Sequence, residues 1–177
     1  MLKSSYITLI IWWVIFGIIH TGLGSGTATK IMARVSKYYR AIYSLLVFIT
    51  LLILIHYHFA AIDTILFRPH WVEKIIAAIF ILSGFVVMVV YTWSYLLTFS
   101  GLGIIFGIED TSALPQTGLY AYSRHPMFAG AIIFMWGIFL GYPYMNNLIS
   151  AVCLTLYAFS TVYLRKIFWK AENFPKG

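Results

Sequence analysis

Long apolar stretches separated by short polar connections dominate the chain. Five of them are candidates for crossing a hydrocarbon layer about 30 Å thick: residues 6–23, 39–60, 75–98, 127–142 and 147–164. Backbone polar groups in lipid must find partners within their own segment, so stretches of this length are expected to be helices. The pattern predicts an all-α, polytopic integral membrane bundle of about five transmembrane helices, forming a single membrane domain over residues 1–177.

The amino-acid composition agrees with this prediction. Hydrophobic residues make up 62% of the chain and charged residues 10%, whereas soluble domains average about 45–50% and about 25%. A chain of 177 residues has too little interior to bury so much apolar surface away from water. The lipid bilayer is therefore the expected surrounding, and no separate soluble catalytic domain is expected.

The net charge of +7 indicates how the chain is oriented in the membrane rather than a nucleic-acid partner. Connections rich in Lys and Arg usually remain on the cytoplasmic side of a membrane. Three connections predicted to share one side carry Lys30, Arg34, Lys37, Arg40, Arg124, Arg165, Lys166, Lys170 and Lys176. The other side carries Lys3, Arg68 and Lys74. The N-terminus is therefore expected outside and the C-terminus in the cytoplasm, in a bacterial inner (plasma) membrane.

The connection between the third and fourth apolar stretches is the most informative segment. Residues 100–126 are too apolar for a solvated loop and too rich in Gly and Pro for a spanning helix. Irregular backbone at membrane depth is tolerated where protein covers it or where it lines a cavity. We therefore expect this segment to form a pocket at the cytoplasmic face.

The segment ends in a cluster of residues suited to an anionic, ring-containing ligand. Pro126 fits the first turn of a helix, whose free N–H groups attract anions. Arg124 adds a planar guanidinium that matches a carboxylate or phosphate, and Tyr120 and Tyr122 offer faces for stacking. The alternative is that Arg124 anchors to lipid headgroups and His125 caps a helix.

This cluster resembles the signature of the isoprenylcysteine carboxyl methyltransferase-like superfamily. The similarity rests on Gly118-x-Tyr120-x-x-Ser123-Arg124-His125-Pro126-x-x-x-Gly130. His20-Thr21, followed by Tyr39-Arg40-x-x-Tyr43, is similar to a pattern of the NnrU, nurim and methanethiol S-methyltransferase branch. The resemblance extends from about His20 to Leu164.

The resemblance implies S-adenosylmethionine as the cofactor and methyl transfer to a small thiol or a lipidic acceptor. It implies that the cofactor is held by Gly118, Tyr120, Tyr122, Ser123, Arg124, His125, Pro126 and Glu172. His20 or His125 would then act as the base that deprotonates the acceptor.

One part of the family pattern differs in this chain. Arg165-Lys166 stands where the methanethiol methyltransferase-like pattern has a Glu-Glu pair. A shifted alignment leaves Glu172 as the surviving carboxylate, with Glu109 or Asp110 as possible substitutes.

Two further functions are compatible with the sequence. His20 and His125 are expected at the same membrane depth, as a shared haem b would require, and a plant carotenoid isomerase that resembles the NnrU family uses histidines at these motif positions. The missing acidic pair also suits a non-catalytic structural subunit that binds partner proteins in a membrane assembly.

Polar residues near the opposite end are assigned structural roles. His56 and His58 point about 200° apart on a helix, which is poor geometry for one metal, and we expect them to anchor the interface together with Tyr57. Asn146-Asn147 is expected to cap the fifth helix.

Overall fold

A computed structural model describes residues 2–24, 38–61, 64–99 and 126–173, and these residues are helical apart from short connections. The five helices are α1 (Leu2–Leu23), α2 (Tyr39–Ala60), α3 (Trp71–Phe99), α4 (Pro126–Gly141) and α5 (Met145–Asn173). Within the described residues, the one extended pairing is an isolated antiparallel bridge between Ile65 and Tyr144. The predicted all-α architecture is confirmed.

Four of the helices are long and apolar enough to cross a membrane. They contain the segments Ser4–Leu23, Ala41–Ala60, Trp71–Val90 and Met145–Tyr163. The exception is α4, whose 16 residues extend about 24 Å and fall short of a hydrocarbon layer of about 30 Å. The shortest predicted stretch, residues 127–142, thus corresponds to α4, the shortest helix of this integral membrane bundle.

The helices run alternately up and down. Helix α1 packs against α2 and α5, α5 packs against α4, and α4 packs against α3. We call the end where α2 and α4 begin the motif end, because the Arg-His-Pro motif leads into α4 there. The opposite end, where Tyr142–Tyr144 joins α4 to α5, is the turn end.

Glycines bring α3 and α4 into backbone contact. A Cβ atom on Gly84 would lie 2.6 Å from both the carbonyl oxygen of Gly130 and the amide nitrogen of Phe134. A Cβ atom on Gly137 would lie 2.8 Å from the amide nitrogen of Ile81, and one on Gly141 would lie 3.2 Å from Ala77. Small residues permit such close approach between helices in lipid. This glycine seam fixes the antiparallel register of α3 and α4.

Side chains hold α1, α2 and α5 together instead. Leu9 and Leu54 are buried between α1 and α2, and Trp12 stacks on Tyr57 with ring centroids 5.4 Å apart. Ser150 of α5 is 1% exposed and accepts a hydrogen bond from the indole Nε1 of Trp13 at 3.2 Å.

The turn end is closed by backbone and amide hydrogen bonds. Leu66 N donates to Pro143 O at 2.9 Å, and Met145 N donates to Thr64 O at the same distance. Asn146 Nδ2 donates to His58 O at 3.1 Å, and Asn147 Nδ2 donates to Tyr142 O at 2.7 Å. The two asparagines lie inside the first turn of α5, where they bind neighbouring segments. Asn146 Oδ1 also accepts a hydrogen bond from Asn147 N at 2.8 Å. Because Asn147 N is one of the N–H groups of the first turn that have no partner within the helix, the predicted cap is present at Asn146, the second residue of α5.

The start of α3 has a local cap. His70 N donates to Glu73 Oε2 at 2.7 Å, which is half of a capping box. Glu73 also places a negative charge in the first turn of α3, where the helix dipole favours it.

At the motif end, α3 and α5 extend past the start of α4. Helix α3 continues for twelve residues beyond Val87, the neighbour of Gly130, or about 18 Å along its axis. Helix α4 begins four residues before Gly130, or about 6 Å. Helix α5 continues for sixteen residues beyond Tyr157, or about 24 Å. Two long helices therefore flank the point where the Arg-His-Pro motif enters α4.

Candidate functional site

The residues singled out by the sequence fall into two groups. His20 lies in α1, Pro126 is the first residue of α4, and Glu172 lies near the end of α5. The remaining candidates lie outside the described residues: Gly118, Tyr120, Tyr122, Ser123, Arg124 and His125. The described part of the site therefore consists of the helix ends that carry His20, Pro126 and Glu172.

His20 is the polar centre of the motif end. Its Nδ1 lies 2.6 Å from the hydroxyl oxygen of Tyr157, which is within hydrogen-bonding distance. Its ring also packs against Phe16 and Tyr43, at centroid distances of 5.6 and 6.2 Å. An intramembrane histidine is a functional candidate when a polar partner holds it in place.

Tyr157 connects His20 to the start of α4. Its ring lies against Gly17, where an added Cβ would be 3.1 Å from Cδ2 of Tyr157. Tyr157 also contacts Phe128 of α4, and the two rings meet edge-on at a centroid distance of 5.6 Å. Because Phe128 is the third residue of α4, this contact brings His20 and the first turn of α4 to a similar depth of the bundle.

The Tyr-Arg-x-x-Tyr element closes the end of α1. Tyr39 donates its hydroxyl to Leu23 O at 2.8 Å, and Tyr43 donates to His20 O at 2.9 Å. Gly24 N also donates to His20 O at 3.2 Å. The last carbonyl groups of a helix have no partner within the helix, and tyrosines four residues apart share one face of α2. The spacing of this element thus matches a hydroxyl cap on α1.

Hydroxyl groups also join α1 to α5 at this end. The Oγ1 atoms of Thr21 and Thr161 lie 3.2 Å apart, and Thr161 is buried. Thr161 Oγ1 also approaches Tyr157 O at 2.9 Å. These bonds hold the part of α5 that carries Tyr157 in register with the part of α1 that carries His20.

The extended end of α5 carries the position of the missing acidic pair. Arg165 lies eight residues beyond Tyr157, about 12 Å along the helix, and Glu172 lies fifteen residues beyond it, about 22 Å. A ligand that contacts both the start of α4 and Glu172 would therefore have to extend along the last turns of α5. Within the described parts of the chain, no three His, Cys, Asp or Glu side chains come together as a metal site.

A second polar cluster, at the turn half of the bundle, was not expected from the sequence. His58 Nδ1 lies 2.8 Å from Ser150 Oγ, the same atom that accepts from Trp13. His58 thus faces α5, whereas His56 is exposed and contacts the edge of Tyr57. We expected His58 to anchor the membrane interface, but its side chain instead forms a hydrogen bond that connects α2 to α5.

Tyr157 is the functional-site residue that sequence analysis missed. It lies in a largely apolar stretch, in which the hydroxyl residues Thr155, Ser160 and Thr161 form no recognisable motif. Its one local signal is a position seven residues after Ser150, which puts both on the face of α5 that meets α1.

The sequence profile of the phospholipid methyltransferase family matches residues 72–170. The match begins in the first turn of α3, includes the Arg-His-Pro motif and α4, and ends in the extended part of α5. No curated protein and no solved structure shows significant similarity to the chain. The matched range covers more than half of the 177 residues, and the chain therefore belongs to the phospholipid methyltransferase family.

Proposed function

We propose that the protein transfers a methyl group from S-adenosylmethionine to a lipidic or small thiol acceptor at the motif end of the bundle. The observation that carries this proposal is the family match over α3, the Arg-His-Pro motif, α4 and α5. The contacts of Tyr157 with His20 and Phe128 support it, because they bring a polar side chain to the entry of α4. The finer assignment to the NnrU-like branch rests on His20 and Tyr39–Tyr43, which precede the matched range.

The cofactor would be held by the motif before α4 and by the extended end of α5. Arg124 has the geometry to bind a carboxylate through two N–H groups, and the N–H groups at the start of α4 would add to the same attraction. Tyr120 and Tyr122 would stack on a flat ring, with Gly118, Ser123, His125 and Pro126 shaping the backbone around it. Glu172 would balance an ammonium or bind ribose hydroxyls.

Methyl transfer requires that the acceptor be aligned with the methyl group and that the acceptor lose one proton. When bound, the cofactor supplies a methyl group on a sulfonium, whose sulfur–methyl bond would break during transfer to leave a neutral thioether as the leaving group. The chain then has to hold the acceptor in line and exclude water. As the acceptor's new bond to carbon forms, the proton that it loses passes to an imidazole nitrogen of His125 or His20.

The surroundings of this site favour an acceptor that arrives through the membrane. Lipid-facing side chains cover the outer faces of α2 and α3, including Ile42, Phe48, Ile79, Phe85 and Val89. Because α4 is shorter than the hydrocarbon layer, its first residues lie at a depth that lipid can reach. We place the protein in a bacterial inner membrane, with the motif end and the C-terminus on the cytoplasmic side, where the cofactor is supplied.

Binding of the cofactor tests the proposal directly. The full chain in lipid nanodiscs is titrated with S-adenosylmethionine in a calorimeter. The matched variants are Arg124→Ala, at the proposed site, and Arg68→Ala, in the exposed loop of the turn end. We expect Arg124→Ala to weaken binding at least tenfold and Arg68→Ala to leave it unchanged. No binding at millimolar cofactor would refute the proposal.

The acceptor class is tested separately with radiolabelled methyl donor. One reaction contains phosphatidylethanolamine in the nanodisc, and the other contains a short alkyl thiol in a phosphatidylglycerol nanodisc. Label in the lipid fraction supports a lipidic acceptor, and label in the volatile fraction supports a thiol. Purified protein with a Soret band that is lost in both His20→Ala and His125→Ala would instead favour the haem alternative. Absence of cofactor binding and of haem would favour a non-catalytic subunit.

A further inference from the structure

The short contact between His20 and Tyr157 bears on which nitrogen of His20 carries its proton. The phenol oxygen lies 2.6 Å from Nδ1. Hydrogen bonds donated by N–H groups to oxygen are usually about 2.7–3.2 Å long, whereas O–H donors make bonds of about 2.5–3.0 Å. The distance therefore fits a bond in which the tyrosine O–H is the donor.

The chemistry of the two groups gives the same direction. A phenol O–H is a strong donor, and an unprotonated imidazole nitrogen is a much better acceptor than a phenol oxygen. Between helices in lipid there is little water to compete for either group. The pair is therefore most stable with the hydrogen on the phenol oxygen and the lone pair on Nδ1.

The ring of Tyr157 is held in the orientation that this bond needs. Gly17 provides the space for it on α1, and both Phe16 and Phe128 meet it edge-on, at centroid distances of 5.9 and 5.6 Å. A Cβ atom added at position 17 would lie 3.1 Å from Cδ2 of Tyr157, so that the ring would have to shift by a few tenths of an ångström. The hydroxyl thus reaches Nδ1 from a ring fixed by α1 and α4.

We propose that Tyr157 is a positioning residue that fixes His20 as the Nε2–H tautomer. With the lone pair of Nδ1 occupied, His20 presents an N–H donor from Nε2, and any group that Nε2 meets is an acceptor. His20 is then a hydrogen-bond donor at the motif end rather than the base, and it does not ligate a metal through Nε2 while the bond to Tyr157 persists. Within the proposed methyltransferase function, on which this assignment of roles rests, the proton of the acceptor passes to His125.

The tautomer is measured by nitrogen NMR on the full chain in nanodiscs, with ¹⁵N-labelled histidine. The His20 signals are identified by their loss in His20→Gln. We expect an unprotonated Nδ1 and a protonated Nε2 in the wild-type protein, and a shift of both signals in Tyr157→Phe. Tyr163→Phe is the matched control, since Tyr163 is an exposed tyrosine on the same helix, and it should leave both signals in place.

A protonated Nδ1 in the wild-type protein would overturn the proposal, and this measurement needs no variant other than the one used for assignment. Signals that do not move in Tyr157→Phe would overturn it as well. Neither result depends on cofactor or acceptor. Failure of the proposed methyltransferase function would appear in the calorimetry instead, and the two are therefore distinguishable.

Kinetics separate a donor from a base once an acceptor is known. Tyr157→Phe is expected to lower kcat about tenfold with KM unchanged. His20→Gln keeps an N–H donor, and its kcat is expected to fall by no more than about tenfold. His125→Ala removes the base and is expected to lower kcat by about a hundredfold or more. Equal losses in His20→Gln and His125→Ala would contradict the assignment.

Discussion

The two halves of the bundle hold their helices together in different ways. Helices α3 and α4 approach each other closely along the glycine seam, where backbone atoms of α4 face Gly84 and the side chain of Val87 packs against Gly130. Helices α1, α2 and α5 are kept apart by aromatic rings and joined by hydroxyl, indole and imidazole hydrogen bonds. In lipid there is no hydrophobic driving force between helices, and close packing and hydrogen bonds are the remaining means of association.

The difference bears on where chemistry can be placed. The glycine seam fixes the register of α3 and α4 through close packing. The half formed by α1, α2 and α5 contains histidine, tyrosine and serine side chains that hydrogen bonds hold in place. The first turns of α4 lie where the two halves meet, because Gly130 packs against α3 and Phe128 contacts Tyr157 of α5.

The seam should be the easiest part of the bundle to break. Gly84→Ala puts a methyl group 2.6 Å from Gly130 O and Phe134 N, and both are backbone atoms that cannot turn away. We expect the free energy of unfolding to fall by about 2–3 kcal/mol, as in an overpacked core, and methyl transfer to fall with it. The measurement is unfolding by dodecyl sulfate titration. Gly22→Ala is the matched control, because its Cβ would meet nothing within 4 Å, and a loss of similar size there would contradict the explanation.

The buried polar cluster should come second. Ser150→Ala leaves the indole N–H of Trp13 and the Nδ1 of His58 without their shared partner. A buried group that loses its hydrogen bond costs about 1–3 kcal/mol, and we expect about 1–2 kcal/mol in the same titration. Ser83→Ala serves as the control, since Ser83 is exposed and bonds to Phe80 O on its own helix. Equal stability of the two variants would show that the cluster contributes nothing.

The hydroxyl cap on α1 should have the smallest effect on stability. Tyr43→Phe removes the bond to His20 O, while Gly24 N still donates to the same oxygen. Side-chain hydrogen bonds between membrane helices contribute about 0.6 kcal/mol on average, and we expect a loss of that size. Tyr142→Phe, at an exposed tyrosine of the turn end, should change nothing measurable. A loss above about 2 kcal/mol in Tyr43→Phe would indicate that the cap organises more of the motif end than this one bond.

The helices could be predicted from the sequence because lipid makes length and apolarity sufficient signals. The second apolar stretch, residues 39–60, coincides with α2. The prediction ended the last helix at residue 164, whereas α5 continues to Asn173. Hydropathy falls after Tyr163, and a helix that leaves the hydrocarbon no longer needs apolar residues to continue.

Long-range partners could not be predicted in the same way. His58 and Ser150 are 92 residues apart, and His20 and Tyr157 are 137 residues apart, with no spacing rule that relates either pair. The glycine seam is partly visible in the sequence. Gly130 and Gly137 of α4 are seven residues apart and so share one helix face, and the same holds for Ala77 and Gly84 of α3. The assignment of Arg124 and its neighbours to a cofactor remains a prediction from the sequence motif.

The tight connection between α4 and α5 also constrains how the chain enters a membrane. The residues between the two helices, Tyr142, Pro143 and Tyr144, cannot reach across a bilayer about 30 Å thick. We therefore expect the 16-residue helix α4 to cross together with α5, as a hairpin. The two helices would then insert as one unit, and the glycine seam would form when that hairpin meets α3.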